Sequence, residues 1–223
     1  MAFSGYNQTA EEYLNKGNTK YDLQDYQEAI DDYNKAIEIN PKYAEAYCNR
    51  GAVKYNLQDY QGGIDDCSKA IEINPNYALA YSNRGNTKNN LQDYQGAIDD
   101  FTKALKINSK FAIAYNNRGN AKHNLQDYQG AIDDYNKAIE INPNYALAYN
   151  NRGNTKNNLQ DYQGAIDDFT KALKINSKFA IAYYNRGNAK IKLDQKDSGC
   201  LDLNKAGELG YEKAYEIIKQ YCN

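Results

Sequence analysis

Apolar residues recur along this chain at helical spacing in pairs of short stretches, and a polar break separates the two stretches of each pair. In one such copy, the first stretch carries Ala112, Tyr115 and Gly119, and the second carries Tyr135 and Ala138. Spacings of three and four residues place side chains on one face of a helix, so we expect two helices in each copy. The small glycine would let another helix come close.

The glycine of this pattern returns every 34 residues, at Gly17, Gly51, Gly85, Gly119, Gly153 and Gly187, and these glycines define copies one to six. A fixed period of this length is typical of a helical repeat array, in which each helix pair packs on its neighbours. The sequence predicts a mobile N-terminal leader at 1–9, full copies at 10–43, 44–77, 78–111, 112–145 and 146–179, a degenerate copy at 180–210, and a C-terminal capping helix at 211–223.

The polar break carries an aspartate that we expect to cap the second helix by accepting hydrogen bonds from its free amides. These residues are Asp25, Asp59, Asp93, Asp127 and Asp161. In the first copy, Glu28 follows Asp25 by three residues, which predicts a capping-box-like pair and the strongest cap of the series. The next four copies have glycine at that position and should lose the reciprocal contact.

The copies resemble the tetratricopeptide repeat (TPR) family in their period, their two predicted helices and the places of their small and aromatic residues. A tyrosine precedes every glycine by four residues, at Tyr13, Tyr47, Tyr81, Tyr115, Tyr149 and Tyr183. An alanine follows every glycine by nineteen residues, at Ala36, Ala70, Ala104, Ala138, Ala172 and Ala206. The resemblance covers residues 10 to about 210. It implies an all-α fold, a right-handed α-solenoid (superhelix) of antiparallel helix pairs whose first helices line a concave groove, and it implies protein binding.

Asparagines form a stripe on the predicted first helices, two residues before and one residue after the repeated glycine. We predict that these residues bind a peptide: Asn15, Asn18, Asn49, Asn83, Asn86, Asn117, Asn120, Asn151, Asn154, Asn185 and Asn188. Ala52 is the one exception in the second column. An amide offers both a donor and an acceptor, so it suits the backbone of an extended peptide. The alternative is that these asparagines brace adjacent copies or keep the groove soluble.

A basic residue immediately precedes each glycine, and an aspartate follows each glycine by fifteen residues. The basic residues are Lys16, Arg50, Arg84, Arg118, Arg152 and Arg186, and the aspartates are Asp32, Asp66, Asp100, Asp134, Asp168 and Asp202. We expect one charge-assisted pair in each copy, in which the basic stem covers the core while its head meets the carboxylate. The competing interpretation is a solvated, unpaired basic residue.

Composition limits the classes of partner. The chain is 41% apolar and 25% charged, which is typical of a folded protein, and its net charge of −2 without a basic run argues against nucleic acid and anionic membrane as partners. The N-terminal residues lack the apolar run of a signal peptide, so we expect a cytoplasmic location. The four cysteines lack metal-ligand spacing, and we expect free thiols rather than a disulfide framework.

The sequence contains few residues in arrangements suited to catalysis. His123 is the only histidine, and it is expected to be a solvated groove residue. No phosphate loop or nucleophile-histidine arrangement is present, and we predict no catalytic residue, no metal site and no cofactor. The sequence therefore predicts a non-catalytic module that binds an extended peptide or protein segment in an asparagine-lined groove. The alternative is a structural scaffold that acts through self-association.

Overall fold

The computed structural model describes residues 8–222, and most of the predicted leader lies outside them. Within this range the chain is all helical, as predicted, and has no strand. The described helices are α1 (Ala10–Asp22), α2 (Tyr26–Ile39), α3 (Ala44–Asn56), α4 (Tyr60–Ile73), α5 (Ala78–Asn90), α6 (Tyr94–Ile107), α7 (Ala112–Asn124), α8 (Tyr128–Ile141), α9 (Ala146–Asn158), α10 (Tyr162–Ile175), α11 (Ala180–Lys192), α12 (Lys196–Glu208) and α13 (Lys213–Tyr221). None of these helices is long and apolar enough to cross a lipid bilayer.

The helices form two compact units, Met1–Ser109 and Lys110–Asn223, which we call the first unit and the second unit. The first unit contains α1 to α6, and the second contains α7 to α13. Within each unit, the two helices of a copy pack as a pair, and the second helix of one copy packs on the first helix of the next. The first helices of neighbouring copies in a unit also touch. Each unit is thus an α-solenoid of stacked helix pairs.

In the first, third, fourth and fifth copies the repeated glycine faces an aromatic ring, whereas Gly51 faces Cys67 and Gly187 faces Leu203. A Cβ added at Gly119 would lie 2.7 Å from a ring atom of Tyr135, and one added at Gly85 would lie 2.9 Å from Phe101. Both rings are fully buried. In the four copies with a ring, the glycine therefore lets the two helices pack closely, because a side chain there would displace the aromatic ring from the core.

The predicted caps are present in copies two to five, but the first copy is the reverse of the expectation. Asp161 accepts a hydrogen bond from the backbone amide of Gly164 at 3.0 Å, and Asp59, Asp93 and Asp127 do the same in their copies. A Cβ on Gly164 would overlap the Asp161 carboxylate as it is placed here, so a larger residue would require this side chain to shift. Asp25 makes no side-chain cap, and the predicted pair with Glu28 is wrong. Glu28 pairs instead with Lys20.

The last helix is joined to the rest of the second unit by packing and by a disulfide. In α13, Ala214 is buried against Leu203 and Ala206 of α12. Cys200 and Cys222 form a disulfide with a Cα–Cα distance of 5.7 Å. The expectation of free thiols is therefore wrong for this pair, because the end of α13 returns to α12 and brings two residues far apart in sequence together. Cys48 and Cys67 are free and buried, as expected.

Candidate functional site

The predicted asparagines lie on the first helices of the copies, and we call the surface these helices share within each unit the Asn face. It is carried by α1, α3 and α5 in the first unit and by α7, α9 and α11 in the second. Asn15 and Asn154 are exposed. The others are half-buried, namely Asn18, Asn49, Asn83, Asn86, Asn117, Asn120, Asn151, Asn185 and Asn188. The structure thus brings predicted residues of each unit onto one face, although most are accessible only in part.

In the second unit, several predicted asparagines and two further asparagines are joined by a continuous chain of side-chain hydrogen bonds. Asn185 donates to Asn150 at 3.2 Å, and Asn150 donates to Asn151 at 3.4 Å. Asn151 in turn donates to Asn116 at 3.0 Å, and Asn116 donates to Asn117 at 3.0 Å. These bonds join three successive copies. The first asparagine column, which stands two residues before each repeated glycine, therefore holds the copies of the second unit together.

Sequence reasoning missed the buried members of this chain. Asn116 and Asn150 are buried, with 0% and 5% of their surfaces exposed, and each stands three residues before a repeated glycine. Buried amides need hydrogen-bond partners, and the first-column asparagines of the next copy provide them. A polar residue at this otherwise core-facing position is the sequence signal that would have found them.

The first unit braces its copies differently, because its corresponding buried positions are not asparagine. Asn83 donates to the thiol sulfur of Cys48 at 3.4 Å. Leu14 holds the position in the first copy and offers no acceptor, and Asn49 donates instead to Asn18 at 2.9 Å. Neither the Asn49 nor the Asn83 carbonyl oxygen accepts a hydrogen bond from the described residues. These two oxygens remain open acceptors.

The second asparagine column consists of the residues one position after each repeated glycine. Whether such an asparagine accepts a hydrogen bond depends on the aromatic residue beneath it. The Tyr33 and Tyr135 hydroxyls donate to Asn18 and Asn120, each at 2.8 Å. In the fifth copy the ring is Phe169, which has no hydroxyl. The side-chain amides of Asn154 and Asn188 form no hydrogen bond with any other residue in 8–222. Their amides are therefore open on the Asn face of the second unit.

Ion pairs fix each first helix from the second copy onward. Arg152 donates two hydrogen bonds to Asp168, at 2.9 and 2.6 Å, and a third to Asn136 of the preceding copy at 2.5 Å. Lys156 lies 2.8 Å from the same carboxylate. The predicted pairs are confirmed for Arg50–Asp66, Arg84–Asp100, Arg118–Asp134, Arg152–Asp168 and Arg186–Asp202. The Asp168 side chain is only 2% exposed, so these cations compensate a buried charge.

The first copy lacks this arrangement, and the predicted Lys16–Asp32 pair is wrong. Lys16 lies over the Tyr13 ring, 5.4 Å from its centroid, and forms no ion pair in the described part of the chain. Lysine has no planar fork to join a carboxylate and a polar group at once, whereas arginine does.

His123 is a contact between two copies rather than a solvated residue. Its Nδ1 lies 2.8 Å from the Thr155 hydroxyl, and its Nε2 lies 3.3 Å from the Asn158 amide nitrogen. Thr155 donates its own hydrogen to the Asn151 carbonyl at 2.9 Å, so His123 Nδ1–H donates to Thr155 and Nε2 accepts from Asn158. Burial lowers the pKa of His123. The neutral ring is therefore the form that this site holds.

Comparison with known proteins gives the same family along most of the chain. A model described as "Tetratricopeptide repeat" matches residues 44–77, 78–111, 112–145 and 146–179, and one described as "TPR repeat" matches residues 17–58. No curated protein matches the sequence.

Solved structures show the same fold at low identity. A chain of the APC/C hetero-tetramer Cut9-Hcn1 is 16% identical with a TM-score of 0.87, and the match covers 98% of this chain but only 44% of that one. Pseudomonas aeruginosa pilF is 15% identical with a TM-score of 0.83, with coverage of 95% and 97%. YrrB, described as a TPR protein with an unusual peptide-binding site, is 24% identical with a TM-score of 0.65, with coverage of 84% and 97%.

Proposed function

Because the chain belongs to the tetratricopeptide repeat family, a family of protein-interaction modules, we propose that it is a non-catalytic module that binds an extended peptide or protein segment in a concave, asparagine-lined groove. The partner is a protein or peptide rather than nucleic acid or membrane. YrrB, one of the similar structures, is described as having a peptide-binding site, which supports this class of ligand.

The open amides of Asn154 and Asn188 carry this proposal. Each amide has a donor and an acceptor that no described residue uses, while the neighbouring first-column amides are engaged in bonds between copies. A peptide backbone presents alternating N–H and C=O groups, so one amide can bind it without reading its side chains. Asn154 and Asn188 lie one 34-residue period apart, at equivalent places on α9 and α11.

Exposed apolar residues at the start of four first helices add contact area for such a ligand. Leu79, Ile113, Leu147 and Ile181 are between 37% and 51% exposed. They share one position of the repeat. Apolar side chains of a bound segment would bury against them and contribute about 25 cal/mol per Å² of apolar surface removed from water.

A cytoplasmic location belongs to the proposal and meets one opposing observation. The cytosol keeps thiols reduced, whereas Cys200 and Cys222 form a disulfide in the structure. Trapping the thiols of the protein in freshly lysed cells tests the location. A fully reduced pair supports the cytoplasm, and an intact bridge supports an oxidising compartment.

The binding test uses a peptide library and two variants. We expect Asn154→Ala/Asn188→Ala to weaken binding of many unrelated peptides by about tenfold, since each lost hydrogen bond is worth about 0.5–1.5 kcal/mol. Asn204→Ala is the matched control, because Asn204 is an exposed asparagine on α12, away from the Asn face. Circular dichroism verifies that all proteins are folded. Unchanged binding by the double variant would contradict backbone capture at these residues.

Self-association of the solenoid into a structural scaffold is the alternative function. Leu201 and Tyr215, near the end of the second unit, are 71% and 55% exposed, so both are available for a contact with a second copy of the chain. Mass measured against concentration separates the two functions. A monomer that binds library peptides supports the module, and growth in mass that Leu201→Ser/Tyr215→Ser prevents supports the scaffold.

A further inference from the structure

The first unit has a cavity that opens on its Asn face where the asparagine column is interrupted. The cavity measures about 310 Å³, and its lining includes Tyr21, Asp22, Asn49, Ala52 and Asn83. Ala52 stands where every other copy has asparagine. At this position of the lining, the short alanine side chain leaves room that a longer amide side chain would occupy.

The groups around the cavity are mainly acceptors and aromatic rings. The Asn49 and Asn83 amide nitrogens each donate one hydrogen bond within the unit, and their carbonyl oxygens accept none from the described residues. Asp22 is exposed and forms no ion pair within residues 8–222. It is also the last residue of α1, where the helix dipole adds partial negative charge. Tyr21 supplies an aromatic face beside these acceptors.

The charge of the cavity lining is negative, which disfavours an anionic ligand. Asn18 Oδ1 already accepts from Tyr33 and from Asn49, at 2.8 and 2.9 Å. The only cation in the last turn of α1, Lys20, pairs with Glu28. No cation lines the cavity. The site therefore has one uncompensated carboxylate and two open carbonyls, and a positively charged donor complements them.

We propose that this cavity binds an arginine side chain of the captured segment. The guanidinium has five N–H donors in one plane, which suit the Asp22 carboxylate and the open carbonyls of Asn49 and Asn83. The plane stacks on the Tyr21 ring, and the apolar stem packs beside Ala52. The inference rests on the proposed function, because the segment that carries the arginine is the one that the Asn face binds.

The second unit provides an internal reference for the same positions. Residues 102 further along the sequence are His123 for Tyr21, Asn124 for Asp22 and Asn154 for Ala52. That set has neither the carboxylate nor the small residue. The arginine site is thus specific to the first unit.

A capped single residue tests the cavity without needing backbone capture along a groove. We would titrate N-acetyl-arginine methylamide into the full-length protein and follow its backbone amide NMR signals, with N-acetyl-citrulline methylamide as the neutral probe of the same shape. We expect the arginine probe to shift Tyr21 and Ala52 and to bind at least about threefold more tightly than the citrulline probe, as one solvated ion pair predicts.

Two variants separate shape from charge. Ala52→Asn introduces the residue of the other copies, so it should fold, and we expect it to abolish the shifts. Asp22→Asn should remove the preference for arginine over citrulline, while Asp31→Asn, an equal charge change on exposed α2 surface, should not. Equal binding of the two probes by the wild type, or unchanged shifts in Ala52→Asn, would overturn the proposal.

This outcome is independent of the peptide-library test. Absence of shifts with the arginine probe would overturn the arginine site even when library peptides bind. Library binding that Asn154→Ala/Asn188→Ala leaves unchanged would contradict backbone capture even when the arginine probe binds beside Ala52.

Discussion

The first and second units have the same helix pairs in the same order, yet their Asn faces differ in which groups are used internally. The second unit joins Asn185, Asn150, Asn151, Asn116 and Asn117 through their own amides. The first unit lacks buried asparagines at the corresponding positions and leaves carbonyl oxygens open. The first-column asparagines therefore join copies in both units, but Asn49 and Asn83 of the first unit keep open carbonyl oxygens, whereas that of Asn151 accepts from its buried neighbour Asn150.

The units also differ in how they begin and end. Within the described residues, the first copy of the first unit has Lys16 in place of arginine, no ion pair at Asp32 and no cap from Asp25. The second unit has a complete ion-pair set in each copy and ends on a helix held by a disulfide. The comparison therefore predicts unequal responses to equivalent substitutions.

The largest difference is expected at the buried carboxylate. Asp168→Asn should lower the free energy of unfolding by about 3 kcal/mol, because it leaves the Arg152 and Lys156 cations without their buried partner. Asp32→Asn, at the equivalent place in the first copy, should cost no more than about 0.5 kcal/mol. Urea denaturation of both variants measures the two losses. Similar losses would contradict the distinction between the first copy and the others.

Reduction of the disulfide should destabilise the second unit alone. The Cys200–Cys222 bridge closes a loop of sequence separation 22, and losing such a constraint costs about 3 kcal/mol when the unfolded chain gains its full entropy. Amide hydrogen exchange with and without reductant should show faster exchange in α13 and no change in the first unit. Burial raises the pKa of the Cys48 thiol to about 12, so alkylation of the native, unreduced protein should be negligible. Faster exchange in the first unit on reduction would be contrary to this account.

The helix caps give a smaller contrast. Asp161→Ala removes the hydrogen bond to Gly164 and should cost about 1 kcal/mol. Asp25→Ala removes no cap, so its effect should stay within about 0.5 kcal/mol. Thermal unfolding of the pair checks the difference, and an equal or larger loss at Asp25 would refute the assignment.

The smallest expected effect is a pH dependence in the second unit. The pKa of His123 is lowered in the folded state, so the unfolded state binds a proton more readily and stability falls as pH drops below the unfolded value near 6.5. Protonation also removes the lone pair that accepts from Asn158. His123→Tyr, which installs the residue of the first copy, should reduce this dependence. Denaturant midpoints between about pH 7.5 and pH 5 provide the measurement, and an unchanged slope in the variant would assign the pH dependence elsewhere.

The repeat pattern was sufficient to predict the fold, since a 34-residue period with small and aromatic residues at fixed places allows few packings. The ion pairs of copies two to six were also predictable, because two opposite charges recur at a constant separation. The missing cap at Asp25 was not predicted, because Glu28, which the pattern pairs with Asp25, pairs with Lys20 instead. The disulfide depends on where α13 returns, and no local pattern contains that information.

The sequence was sufficient to predict which helix face carries the candidate site, but not which amides on that face are free of internal hydrogen bonds. Helical spacing is enough to place Asn151 and Asn154 on the same surface. Whether each amide is open depends on buried partners, such as Asn116 beneath Asn151 and the missing hydroxyl of Phe169 near Asn154. In the sequence, the asparagines of the stripe look equivalent. In the structure, some of them form internal hydrogen bonds and others do not.

The most direct test of peptide capture is to observe the side-chain amide signals themselves. We would label the protein with ¹⁵N, add a peptide selected from the library, and follow the asparagine NH₂ resonances. The account predicts the largest shifts at Asn154 and Asn188, with smaller shifts at the internally bonded Asn116 and Asn151. Binding that leaves the Asn154 and Asn188 amides unperturbed, or no binding by any library peptide, would contradict the proposed function.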